Sequence, residues 1–299
     1  MSDAGAQVKG RLRRGLASIT GMGAFDLALR LTLVDLLLRP VGGWSVRPFT
    51  LALAALGLLA PGLLRAPVLW LGLTALTGLR VVLDWPLPDN HAYLLFYWCL
   101  AVTLALSLGD PERLLSINAR LMIGLVFAFS VLWKLVLSPD FMNGTFFGVT
   151  LLVDPRFEGF ARVAGGLSAG GYDALRDFML GGGAYYAGSG ISEIPPRLAA
   201  LSRFLTYWTV AIEAAVAVSF LAPARIRVSG LRDYLLILFC VTTYGVANVD
   251  GFGWLLLAMG AAQAEEGRGE KEKNRVRLLY AAAFLLIIFY GYYTFSRLL

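Results

Sequence analysis

The stretch Asn118–Gly144 reads NARLMIGLVFAFSVLWKLVLSPDFMNG. Its centre is apolar for long enough to cross ~30 Å of hydrocarbon as a helix of ~20 residues, yet Lys134 lies near one end. A charge placed there needs solvent, a partner or a task. The stretch therefore raises the question of fold and the question of function together.

The rest of the chain agrees with a membrane setting. Of 299 residues, 58% are hydrophobic and 15% are charged, and the mean hydropathy is +0.69. That apolar surface exceeds what a soluble core could hide. No alternating strand pattern suggests a barrel, so an all-α, polytopic helical membrane protein is expected. The net charge of +6 comes from Arg and Lys clusters in short connecting segments and reads as topology. No basic stripe interleaves with base-stacking aromatics, so no nucleic-acid partner is expected. Cys99 and Cys240 both lie in apolar runs, and no metal-binding spacing is present; no metal is expected.

Residues 1–23 form a basic lead, and residues 24–299 a single transmembrane domain of about nine segments. The expected segments are 24–38, 48–64, 66–84, 91–108, 119–137, 202–221, two short helices within 233–263, and 278–295. The two short helices are split at Asn248-Val249-Asp250-Gly251, because an irregular turn survives in hydrocarbon only where protein or water satisfies its backbone. Residues 138–200, with Gly clusters, Pro195-Pro196 and no complete span, read as one long external loop. A cytoplasmic N-terminus puts Arg65, Arg113, Arg225–Arg232 and Lys271–Arg277 on the inner side; Arg39 and Arg47 are exceptions.

This topology sets depth. His91, the only histidine, begins the fourth segment at the outer face, and Lys134 ends the fifth at the same level. The Asn248–Asp250 turn and Asp84 join them in an outward-facing polar pocket, a functional-site hypothesis by default. Each residue also has an ordinary reading. The Lys134 stem can snorkel toward Ser138, and a histidine at a helix start is commonly solvated. Asp84 lies four residues after Arg80, and Asp26 four before Arg30, so each pair can neutralise along one helix face. Asp35 and Glu213 show no such local partner, and Glu213, in mid-segment, is assigned Arg30 as a structural ion-pair partner across helices.

Several pieces resemble, in order, the membrane domain of vitamin K-dependent gamma-glutamyl carboxylase and its bacterial relatives, the HTTM (horizontally transferred transmembrane) family. They are LALRLTLVDLLLR, PDNHAYLL, FSVLWKLVLSPDFMNG, WTVAIEAAV and GVANVDGFGWLLLAMG, and they span most of the chain. The sharpest are Asn90–Leu94 (N-H-x-Y-L) and the set Lys134, Leu135, Asp140, Phe141, Gly144.

The resemblance implies specific chemistry. The position of Lys134 corresponds to a base that deprotonates vitamin K hydroquinone, whose oxygenation gives an alkoxide able to remove a γ-proton from a peptide glutamate, after which CO2 adds to the carbanion. The position of His91 corresponds to a group assisting the later steps. Reduced vitamin K or menaquinol, with CO2 and O2 as co-substrates, is implied, in a multi-pass protein of the bacterial inner membrane. A lysine in apolar surroundings loses its preference for the charged form and can act as a base. Asn90, Tyr93, Trp133 and Tyr244 join Asp84, Asn248 and Asp250 as supporting residues, and an aromatic wall of Phe127, Phe129, Trp133, Tyr93, Phe96, Tyr97 and Trp98 is expected to hold a flat quinone.

Three departures accompany the resemblance, the first being that the seventh segment lacks the histidine carried near this point by the animal enzyme and reads CVTTYGVANVDG, with Tyr244 nearby. No propeptide-gripping region like that of the carboxylase is expected after the ninth segment, and the acid-aromatic pair after Lys134 comes later than in the animal enzyme. Two classes of function therefore stand: a carboxylase-like membrane enzyme acting on a secreted peptide, with a partner protein presenting it, or a non-catalytic accessory membrane protein for maturation or export of a secreted peptide toxin. A quinone-interacting redox subunit has no visible ligand set to support it.

Overall fold

The computed structural model describes residues 21–86, 89–181, 194–244, 251–264 and 269–295. Among them the chain is helical and contains no strand. The helices are α1 (Ala24–Leu38), α2 (Arg47–Leu59), α3 (Pro61–Leu64), α4 (Pro67–Leu83), α5 (Asn90–Ser107) and α6 (Pro111–Val136). Then come α7 (Pro139–Met142), α8 (Thr145–Val153), α9 (Glu158–Gly165), α10 (Ala169–Leu180) and α11 (Pro196–Leu221). The last are α12 (Arg232–Tyr244), α13 (Phe252–Ala262) and α14 (Glu270–Phe295). Proline stands in the first turn of α2, α3, α4 and α11, where its missing N–H costs nothing and its fixed φ suits the helix.

Among the described residues three helices, α5, α6 and α11, are long and apolar enough to cross a membrane, which is compatible with a membrane protein. The other expected segments fall on helices, but α2, α4 and α13 are shorter apolar helices of 13, 17 and 11 residues, below the ~20 of a full crossing. One face of α6, with Leu121, Leu125, Phe129, Leu132, Trp133 and Val136, is exposed. An apolar strip of that length suits hydrocarbon better than water.

Contacts cluster in two compact units, one of Met1–Ile123, Leu236–Val241 and Val249–Leu299, the other of Gly124–Leu235 and Thr242–Asn248. In the first unit α4 packs along α5, and α1 lies against α2 and α13, which in turn meets α14. Glycine permits these approaches. A Cβ on Gly57 would sit 2.7 Å from Leu33 Cδ1, and one on Gly78 3.0 Å from the Phe96 ring. Apolar surroundings leave polar side chains to bond one another or the backbone. Trp98 Nε1 donates to Thr32 Oγ1 at 2.8 Å, tying α5 to α1, and the Thr74 and Thr103 hydroxyls meet at 3.0 Å between α4 and α5.

In the second unit, residues 138–200, expected as one long external loop without a complete span, carry short helices that the sequence reading did not include. Helices α7 to α10 fill the described part, around a core of Leu151, Leu152, Phe157, Tyr172, Leu198 and neighbours. Tyr172 Oη donates to the Leu152 carbonyl at 3.0 Å. Arg197, at the start of α11, donates from Nε to the Ala164 carbonyl at 3.0 Å, capping α9 where Gly166 (φ +72°) turns left-handed. The physical reason for the difference is that glycines at helix ends read as loop composition while they terminate short helices.

The α13–α14 contact offers a direct check. A Cβ on Gly260 would fall on the ring of the fully buried Tyr280. Gly260→Ala is expected to lower stability by about 1–3 kcal/mol, measured as the thermal midpoint of the purified protein in detergent, whereas alanine at the open position Gly62 should leave the midpoint unchanged.

Candidate functional site

Two polar clusters emerge, each within one unit. The first is built on α6 and α11. On α6, residues 127, 130, 131 and 134 recur at helical spacing along one side, and Phe127, Ser130 and Lys134 are on the covered side while Phe129 and Trp133 are exposed. Close approach of α11 is allowed by Gly124, whose Cβ would lie 2.7 Å from Leu221 Cγ and 3.3 Å from Phe220 Cβ. The Lys134 ammonium donates to both oxygens of Glu213, at 2.6 and 2.8 Å, and to Ser130 Oγ at 2.5 Å. The lysine side chain is 14% exposed and the glutamate 8%. The ammonium also lies 5.2 Å from the centre of the Phe141 ring, a cation–π contact.

The local sequence explains how Phe141 reaches back. Helix α6 stops at Val136, the single-turn α7 spans Pro139–Met142, and Gly144 at φ +87° makes the left-handed turn into α8. Asn143 Oδ1 accepts from the Thr145 N–H at 2.9 Å and holds that turn. Phe146 and Phe147 then stand 5.2 and 5.5 Å from Phe141, ring centre to ring centre. Of the motif singled out in the sequence, Lys134, Phe141 and Gly144 thus act in one arrangement, and Asp140 is exposed.

This geometry corrects the pairing of Glu213 with Arg30: the carboxylate is taken by Lys134. Arg30, in α1 of the other unit, is half-buried with its Nε bonded to nothing in the structure. The pairing of Asp26 with Arg30 is corrected as well, since Asp26 accepts from Arg65 Nε at 2.7 Å. The lysine is also not isolated among apolar groups, because a full carboxylate faces it. The residues of the expected aromatic wall divide between the two units. Phe127 and Trp98 are buried, whereas Phe129, Tyr97 and Trp133 are exposed, the last by 59%. Trp133 therefore points away from the lysine, one helical step off the covered face.

The second cluster surrounds His91 in the first unit, in a cavity of about 320 Å³ lined by Asp35, Arg39, Arg47, Arg80, Asp84 and His91 among others. Arg80 Nε meets Asp84 at 3.2 Å, as the four-residue spacing predicts. His91 Nε2 is 3.5 Å from Asp89, with the imidazole side chain 26% exposed. Asp35 does have a local partner, Arg39 at 3.1 Å just past the end of the same helix, which the sequence reading missed although the four-residue spacing was there to find. Arg39 also lies over the Trp254 ring at 5.6 Å. Its guanidinium fills the space beside Gly251 (φ +104°), where any Cβ would collide with it.

His91 and Lys134 belong to different units. Of the supporting residues, Asn90 and Asp84 are exposed, Tyr93 is half-buried and Tyr244 is buried in α12. Asn248 and Asp250 lie outside the described residues. Ser130 and Arg39 are the functional candidates that the sequence reading passed over; for Ser130 the signal was its place one turn before the lysine. Among the described residues no cluster of His, Cys, Asp and Glu could hold a metal ion. Comparison with protein families, curated proteins and solved structures finds no match for the chain.

Removing one member of the buried pair strands the other charge. Lys134→Met or Glu213→Gln alone is expected to cost about 3–5 kcal/mol, and the double variant less than the sum, by chemical denaturation in detergent; additive losses would show that the two side chains do not interact. At the second cluster, Gly251→Ala should destabilise by about 1–3 kcal/mol, because it combines positive φ with loss of the Arg39 position.

Proposed function

We propose that the protein is a membrane-embedded, carboxylase-like enzyme in which Lys134 accepts a proton from a quinol, with Glu213 as its proton-holding partner. The observation that carries the reading is the buried Lys134–Glu213 contact, at 2.6 Å, inside two helices apolar enough to span a bilayer. An ionisable group inside a membrane segment is by default a functional-site hypothesis, proton relays among its uses. The sequence resemblance to the HTTM family supplies the reaction class, and Lys134 and Phe141 of its sharpest motif are neighbours in space.

The residues present suit a hydroxylated aromatic ring. Lys134 and Glu213 offer an amine and a carboxylate for exchange with a phenolic hydroxyl, and Phe141 offers a ring face beside the lysine, with Phe146 and Phe147 packed against that ring. Reduced vitamin K or menaquinol would supply, on oxygenation, the strong base that carboxylation of a glutamate needs. The chain's own part is proton handling. Glu213 takes the proton of the Lys134 ammonium, leaving a neutral amine; that amine then accepts the hydroxyl proton, and Ser130 orients it by accepting one of its N–H bonds. Excluding water from the pair strengthens both interactions. His91 is assigned the second catalytic role, with Asp89 to orient the ring. The fuller reading is a multi-pass protein of about nine segments in the bacterial inner membrane, N-terminus inside, acting on a secreted peptide glutamate with a presenting partner.

The test is quinol- and O2-dependent incorporation of labelled CO2 by membranes containing the full chain and its native operon partners. Lys134→Ala should abolish incorporation, and Glu213→Gln should lower it about 10²-fold or more. Unchanged incorporation by a folded Lys134→Ala protein would overturn the reading in favour of an accessory, non-catalytic role.

A further inference from the structure

A second cavity, of about 500 Å³, opens at the end of the first unit formed by the start of α1, the start of α6, the end of α13 and the start of α14. Its lining divides by chemistry. Phe25, Ile117 and Ala262 are apolar, whereas Arg113, Lys273 and Ser116 are cationic or hydrogen-bonding. Glu112 also lines it, but its carboxylate already accepts from Arg65 at 2.9 Å, and Arg65 further holds Asp26. Arg113 is exposed, and its backbone N–H donates to the Asp110 side chain at 3.3 Å. Lys273 pairs with Glu270 at 3.1 Å, a surface contact with an exposed carboxylate that a stronger anion can displace.

Position adds to chemistry. Helix α6 is one of the candidate membrane helices, and Arg113, Ser116 and Ile117 lie on its first two turns, where a spanning helix meets the headgroup level. A lining that combines cationic and apolar residues at that depth matches a molecule with a phosphate at the interface and acyl chains below it. Basic pockets between membrane helices bind acidic headgroups in this way.

We infer that the cavity between α1, α6, α13 and α14 binds the phosphate of an anionic phospholipid, held by Arg113 and Lys273 with Ser116, its acyl chain lying against Phe25 and Ile117. The site uses none of the residues of the Lys134–Glu213 pair, so it stands or falls separately from the catalytic reading.

The experiment counts lipid retained by the purified full chain in native mass spectrometry, after exchange against phosphatidylglycerol or phosphatidylcholine. The wild-type chain should retain phosphatidylglycerol selectively. Arg113→Gln/Lys273→Gln should weaken that retention by about tenfold, while Arg225→Gln, an exposed arginine outside the cavity, should not. Should the double variant fail to fold, Arg113→Gln alone carries the test, since Arg113 is an exposed residue on the first turn of α6. Excess inorganic phosphate should not displace the lipid. Equal retention of phosphatidylcholine, undiminished phosphatidylglycerol in the Arg113 variant, or displacement by inorganic phosphate alone would each overturn the inference.

Discussion

An ammonium and a carboxylate that share a low-dielectric space hold each other in place, because neither can be left there alone without a penalty of several kcal/mol. The Lys134–Glu213 contact imposes that condition on α6 and α11. It fixes which face of each helix turns inward and, with the Gly124–Leu221 approach, fixes their register. Ten residues along α6 and eight back along α11 cover about 15 and 12 Å, which is the match an antiparallel pair requires. The exposed positions of Phe129 and Trp133 follow from the same choice of face.

Much of the fold was legible because periodicity and turn formers are local signals. Helix α1 coincides with its expected range, and the expected segments 91–108, 119–137 and 202–221 fall on α5, α6 and α11. The helices of residues 139–180 were not legible, since their glycines and charges resemble loop composition and their core forms only when Leu151, Phe157, Tyr172 and Leu198 meet from distant positions. At the candidate site, Lys134 and Glu213 were each conspicuous as charges without solvent. Their mutual partnership was not, because 79 residues separate them and only helix packing decides which cation a buried carboxylate meets.

The His91 cluster shows the opposite balance of local and long-range information. Its pairs Asp35–Arg39 and Arg80–Asp84 are four-residue contacts written in the sequence. What could not be read was that α1, α4, α5 and the start of α13 bring them to one cavity. Arg39 and Arg47, which sit on the unexpected side in the charge-based topology, both line it. A guanidinium neutralised by Asp35 and stacked on Trp254 is structural material and no longer behaves as a free topological charge.

The short link between α6 and α7 acts as a ruler. Val136 ends one helix and Pro139 begins the next, so the distance from the ammonium of Lys134 to the ring of Phe141 is set by a counted length of chain and by the left-handed turn at Gly144. A residue added or removed there would leave both helices intact and both side chains present, yet would swing the ring off the lysine. In this corner of the molecule spacing is itself a specificity element, and relatives are best compared by the length between these residues before the residues themselves.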